Sequence, residues 1–309
     1  MRLFVGVTNN DWFDFLSARQ PDEVNFWRPR SQSGFRAIPV GAPFLFKLHA
    51  PLNFIVGGGY FVRHTFLPLD LAWQAFGEKN GVPDLATFRR RMLEHRTASE
   101  LGRQIGCTIL AQPFFFPRDA WISVPADWSA NVVVGKTYDT TEPAGRTLWQ
   151  QILERLAGMA PDSATGLEAA AEATQDRYGQ PQLVRPRLGQ GGFRVLVTDA
   201  YQRRCAMTGE RTLPALEAAH IQRYSESGPH RVDNGLLLRS DLHHLFDLGY
   251  LTVTNDYVIQ VSRRIRAEFE NGRDYYALDG QSLKVLPTVA ANRPSQVFLD
   301  WHRTTLFRG

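Results

Sequence analysis

The stretch LEAAHIQRYSESGPHRVDNGLLLRSDLHHLFDLGYLTV, residues 216–253, decides the reading of this chain. Four of the eight histidines fall inside it. Leu216–Ile221 and Leu236–Arg239 are short apolar runs of strand type. Ser240 or Asp241 caps a helix that runs through Leu248, and Gly249 is a natural residue just past its end. Tyr250–Val253 and Tyr257–Gln260 predict a hairpin around Asn255-Asp256. Two strands and a helix can bring His220, Asn234 and His243 to one point. His243 and Asp247 stand four apart, so they share a helix face and suit two ligands on one metal.

Several spaced elements stand in order here: Arg194-x9-Arg204-Cys205-Ala206-Met207-Thr208-Gly209, Glu217-Ala218-Ala219-His220-Ile221, Asn234-Gly235-Leu236-Leu237-Leu238-Arg239, and Asp241-Leu242-His243-x-Leu245-Phe246-Asp247-x-Gly249. Together they resemble the HNH endonuclease family, whose fold is ββα-metal. The resemblance implies phosphodiester hydrolysis with a divalent cation, Mg²⁺ or Mn²⁺. It makes His220 the general base, with Asn234 fixing its imidazole through a side-chain or backbone carbonyl. It makes His243 a metal ligand and Asp247 the last ligand. One position departs from the pattern: Ala219 stands where many members carry Asp or His as a ligand. Glu217, two residues earlier on the same strand face, is the candidate replacement. Arg204, Arg239 and His244 are candidate phosphate contacts. His230 reads as loop surface. Cys205 has no Cys partner nearby, so no structural zinc is expected.

Upstream, Phe193–Arg204 has helical spacing. Residues 158–192 change character, with Ala, Ser, Thr, Gly and Gln dominating and Pro161, Pro181 and Pro186 interspersed. They read as a linker with a helical piece at Leu167–Ala173. The expected domains are therefore 1–157 and 193–309. In the first, residues 2–8, Phe44–His49, Phe54–His64, Thr108–Phe116 and Val132–Val134 predict strands. A helix capped by Asn10 or Asp11, and the segments Leu69–Asn80, Leu85–Glu94 and Arg146–Leu156, predict helices. Pro21–Gly34 reads as a loop. Gly57-Gly58-Gly59 inside a strand needs a bulge, a sharp bend or a close ligand. The fold class is α+β, with the first domain a small β-barrel or curled sheet.

That domain, by the order of its elements, resembles the PUA superfamily, the EVE, ASCH and SRA-like group. The resemblance implies a pocket for a base extruded from duplex DNA. Aromatic faces for stacking and a few polar groups suit that task. The candidates are Trp27, Asn25, Asn53, Tyr60 and Trp128, with Lys47, His49 and Arg63 near phosphates.

Composition sets the outer limits. The chain has 309 residues, 43% hydrophobic and 21% charged, an ordinary globular balance. No run approaches the roughly 18–20 apolar residues of a membrane span, and the N-terminus reads as a strand and not as a signal peptide. Two distant cysteines give no disulfide framework, so a cytoplasmic protein is expected. Residues 1–176 carry 17 basic and 18 acidic side chains, and 177–309 carry 18 and 13, the basic ones nearly all Arg. A basic second half suits a polyanion.

The expectation is a modification-dependent restriction endonuclease that recognises a modified cytosine in double-stranded DNA and cuts nearby. A homodimer is one route to a double-strand break. Two other readings stay open. One is an HNH nuclease with a sequence-reading or protein-interaction first domain. The other is a non-catalytic nucleic-acid-binding protein, motivated by Ala219.

Overall fold

The structure, a computed structural model, describes residues 1–29, 34–94, 104–129, 131–159, 183 and 187–309. The chain divides into two units, Met1–Gly192 and Phe193–Gly309. Most of the expected linker, including Leu167–Ala173, lies outside the described residues. No described helix is long and apolar enough to cross a membrane.

The first unit is built on one seven-stranded sheet: β1 (Arg2–Thr8), β2 (Glu23–Arg28), β3 (Pro43–Leu48), β4 (Phe54–Leu67), β5 (Ile105–Phe115), β6 (Ile122–Ser123) and β7 (Gly135–Asp139). The path runs β2-β5-β4-β3-β1-β7, and β6 pairs with β4. β1 and β3 are parallel, and the other pairs are antiparallel. Strand alternation sorts the apolar residues onto two faces. Phe4, Phe26, Phe44 and Phe46 pack with Trp12 on one side, while Leu3, Val5, Leu45 and Ile55 pack with Leu148 and Ile152 on the other. The helices are α1 (Asn10–Ser17), α2 (Leu69–Phe76), α3 (Leu85–Leu93) and α4 (Pro143–Gly158).

Four expectations change. The cap of α1 is Asn9, whose Oδ1 accepts from the Asp11 N–H at 2.9 Å. Val132–Val134 is not a strand; the pairing partner of β1 starts at Gly135. Among the described residues no pairing joins β2 to β7, so the predicted small barrel is an open sheet. Glu23–Arg28 is a strand where the sequence predicts a loop. Its buried polar residues find partners far along the chain, although the Asn25 Oδ1 has none among the described residues. The Glu23 carboxylate accepts from the N–H groups of Gly191 and Gly192 at 2.7 and 2.8 Å and pairs with Lys79 at 3.1 Å. Asn25 Nδ2 donates to Asn80 Oδ1 at 2.9 Å.

The glycine run in β4 serves strand packing. Gly57 faces Phe46 on one side and Phe115 on the other, and a register shift falls between Gly58 and Tyr60. A Cβ on Gly58 would come within 2.8 Å of the Phe114 ring and of the Phe44 carbonyl oxygen.

The second unit holds most of α5 (Gln190–Ala200), then β8 (Leu216–His220), β9 (Gly235–Arg239), α6 (Ser240–Asp247) and the hairpin β10 (Leu251–Val253) and β11 (Ile259–Val261). Phe193, Val197 and Tyr201 join Leu236, Leu238, Leu242 and Phe246 in one core. The Tyr201 hydroxyl donates to the Gly235 carbonyl at 3.2 Å.

Glu23→Ala removes the acceptor for two buried amides and a lysine. The expected loss is about 1.5–3 kcal/mol, read as a lower urea midpoint by fluorescence of the tryptophans, all but one of which lie in the first unit.

Candidate active site

β8 and β9 pair antiparallel, with His220 opposite Gly235 and Leu216 opposite Arg239. α6 begins at the residue after β9, so the helix is delivered to the strand pair without a connecting loop. Asn234 sits between the long β8–β9 excursion and β9 and has no exposed surface. Its Oδ1 accepts from the Gln222 N–H at 2.9 Å. Its Nδ2 donates to the carbonyls of Gln222 and Pro229, both at 3.0 Å. Its own carbonyl accepts from the Ile221 N–H at 2.9 Å.

His220 therefore occupies the last position of a braced strand. Its ring stacks on Phe193, centroids 3.8 Å apart and planes 12° apart. Its Nε2 lies 3.0 Å from His230 Nδ1. Burial, with the nearby His230 and His243, pushes its pKa down to about 4, so it is neutral at pH 7. The His230 ring stacks in turn on Tyr224 at 4.4 Å.

The partner expected for the His220 imidazole was Asn234. Its side chain makes no hydrogen bond to His220; its three hydrogen bonds go to loop backbone, and His230 makes the contact instead. Nothing local marks His230 in the sequence. It stands in a Gly-Pro-His loop with no apolar period.

The next cluster is Glu217, His243 and Asp247. His243 Nδ1 lies 2.6 Å from Glu217 Oε2, and Nε2 lies 3.3 Å from Asp247 Oδ2. The first contact joins β8 to α6, and the second joins successive turns of α6. A neutral imidazole carries one N–H for two carboxylates. With that proton facing Glu217, Nε2 and Asp247 Oδ2 present two donor atoms to one cation. Among the described residues, no group of three His, Cys, Asp or Glu side chains is disposed to hold a metal ion. The donor chemistry, imidazole nitrogen and carboxylate oxygen, fits a hard divalent ion whose other positions are filled by water or phosphate oxygens.

Residues 205–254 match the family model described as HNH endonuclease. This HNH segment contains β8, β9, α6 and every residue of the two clusters apart from Phe193. No curated protein matches the chain. Among solved structures, the chain is similar to ASCH from Zymomonas mobilis, at 10% identity and TM-score 0.33, over 49% of this chain and 94% of that one. It is also similar to a modification dependent TagI restriction endonuclease, at 14% identity and TM-score 0.28, over 93% of this chain and 76% of that one.

The expected phosphate contacts of the HNH segment fare differently. His244 is exposed on α6. The Arg239 fork is engaged by Asp241, Nε to Oδ1 at 2.9 Å and Nη2 to Oδ2 at 2.6 Å. The Arg204 Nε is buried without a hydrogen-bond partner among the described residues.

The first unit has a cavity of about 890 Å³ at the far ends of β1 and β2. Trp12 and Phe26 give it apolar surface, Trp27 a further indole, and Arg28, His49, Arg91, Asp11 and Glu94 its charges. Of the five predicted pocket residues only Trp27 lines it; its Nε1 donates to the Asn80 carbonyl at 2.8 Å. Asn25 and Tyr60 are buried in the sheet. Asn53 Oδ1 accepts from Lys47 Nζ at 2.6 Å, and that ammonium lies 5.3 Å from the Trp128 ring centre, a separate cluster. Burial lowers the Arg28 pKa, and burial with Lys47 lowers that of His49.

Behind α6, His302 is buried, stacks on Phe246 at 3.7 Å and bonds the Phe246 carbonyl at 3.0 Å. Burial takes it, like His64 and His220, to a pKa of about 4. The unfolded chain binds these protons near pH 6.5, before the folded chain does. Stability is therefore expected to fall as pH drops from 6.5 toward 4. Urea midpoints across that window check this, and His302→Gln is expected to flatten the slope.

Proposed function

We propose that the chain is a divalent-metal-dependent DNA endonuclease that cuts DNA carrying a modified cytosine. The observation that carries the nuclease half is the coincidence of the HNH segment with a two-strand-and-helix unit gathering His220, Glu217, His243 and Asp247. His220 takes the proton of the attacking water on Nδ1, which makes no hydrogen bond among the described residues. Hydroxide adds to phosphorus, the 3′-oxygen departs, and solvent protonates it. Phe193 holds the imidazole plane and supplies the apolar contact that keeps it neutral. His243 and Asp247 hold the cation, Mg²⁺ or Mn²⁺, and Glu217 fixes the His243 tautomer. When bound, that cation neutralises charge gathering on the phosphate and on the leaving oxygen.

The cavity supports the second half. Its size and its mixture of indole faces with both signs of charge suit a flipped nucleotide, stacked on Trp27 and read along its edge. Residues 1–157 then choose the site and 193–309 cut it. Two copies, each cutting one strand, account for a double-strand break.

His220→Ala is expected to abolish cleavage while leaving DNA affinity unchanged, as read by gel digestion beside a binding titration; residual cutting at the parent rate overturns the base assignment. Matched DNAs with cytosine unmodified, 5-methylated, 5-hydroxymethylated or glucosylated, digested in Mg²⁺ and in Mn²⁺, test the reader. Cutting confined to one modified DNA is expected. Equal cutting of all leaves a nuclease whose first unit reads sequence or binds a protein, and binding without cutting any of them leaves a non-catalytic binder. Trp27→Ala is expected to weaken binding of the modified DNA by about 1–3 kcal/mol without changing the cutting rate at saturating DNA.

A further inference from the structure

The His220–His230 contact is not used by any step above. Two imidazoles meet edge to edge, Nε2 to Nδ1 at 3.0 Å, and each ring lies flat on an aromatic neighbour, Phe193 and Tyr224. Stacking fixes the plane of each ring. Only one proton can occupy a nitrogen–nitrogen hydrogen bond, so the contact fixes a relation between the two tautomers.

We infer that His230 is the positioning residue of the base: its Nδ1 accepts the His220 Nε2–H and holds His220 as the tautomer whose Nδ1 lone pair faces the substrate. The inference rests on the reading of His220 as the general base. When His220 gains the water proton at Nδ1, its Nε2–H becomes a cationic donor, and the same contact is strengthened as charge develops. His230 must then be neutral, with its own proton on Nε2.

Asn234 acts through this relay. Its Nδ2 holds the Pro229 carbonyl at 3.0 Å, and Pro229 is the residue before His230. The side chain expected to touch His220 instead places the loop whose next residue does so. Asn234 Oδ1 and Nδ2 both bond Gln222 as well, so the loop is fixed at its beginning and near its end.

Three variants separate hydrogen bonding from packing. His230→Phe keeps a ring against Tyr224 and removes the acceptor. His230→Asn offers Oδ1 near the place of Nδ1. His230→Ala removes both. In single-turnover cleavage at saturating DNA, Phe and Ala are expected to slow the rate by about 10–100-fold, with DNA affinity within about twofold. Asn is expected to recover most of the rate. Parent-like cleavage by His230→Phe, or an Asn variant as slow as Phe, overturns the inference.

A second readout does not use activity. Imidazole ¹⁵N spectra of the whole chain are expected to show His220 protonated on Nε2 near pH 7 in the parent, and a mixture of tautomers in His230→Phe. The same spectra establish that the variant is folded. A parent His220 protonated on Nδ1 overturns the inference even when DNA is cut. The expected tautomer together with no cleavage of any DNA keeps the tautomer relation between the two rings but removes the nuclease reading, and with it the role of His230 in positioning a base.

Discussion

The buried amide of Asn234 is the constraint on which the second unit depends. Three side-chain hydrogen bonds to backbone, at Gln222 and Pro229, close the excursion between β8 and β9 upon itself. Such bonds are strong away from water, and each group costs dearly if left unpaired. The consequence is register. His220 stays opposite Gly235, β9 ends at Arg239, and α6 starts at once, so His243 comes within reach of Glu217. An amide with no chemistry of its own thereby helps set where His220 lies relative to Glu217 and His243.

The site is electrostatically unfinished in a way that has direction. His220 is buried enough to stay neutral near pH 7, which costs stability below pH 6.5 but leaves a lone pair available. His243 lies between two carboxylates, and a neutral ring satisfies one of them. The remaining nitrogen and the Asp247 carboxylate oxygen lie 3.3 Å apart. The Ala219 departure thus does not empty the site of carboxylate. The strand's carboxylate, Glu217, meets the His243 ring at 2.6 Å.

Local period made the second unit legible. Strand alternation, the helix spacing from His243 to Asp247 and the absence of a loop between β9 and α6 are all short-range facts. What failed to show was anything set by distant partners. Glu23 and Asn25 look like loop residues because their partners, Gly191 and Asn80, lie far along the chain. His230 looks like surface because a Gly-Pro loop carries no period to say where it returns. The predicted pocket residues are scattered for a third reason: Tyr60 and Trp27 stand on different strands and Trp128 on a loop, so stacking surface in the sequence does not say which of them meet.

The cavity of the first unit lies at the ends of the strand path. Unpaired strand edges are normally covered, because they invite pairing with other chains. Among the described residues no strand pairing joins the two ends of the path. The Val134 carbonyl, just before β7, accepts instead from the Val7 N–H at 3.1 Å and from the Arg28 guanidinium at 3.4 Å. A side chain from the end of β2 thus reaches toward the residue where a ladder would have closed the ring. Val134 and Arg28 both line the cavity, as do Val7 and Trp27. Trp12 and Phe26 of the aromatic core line this recess together with the charged Asp11, Arg28, Arg91 and Glu94. The recess at these strand ends carries both stacking surface and charged groups.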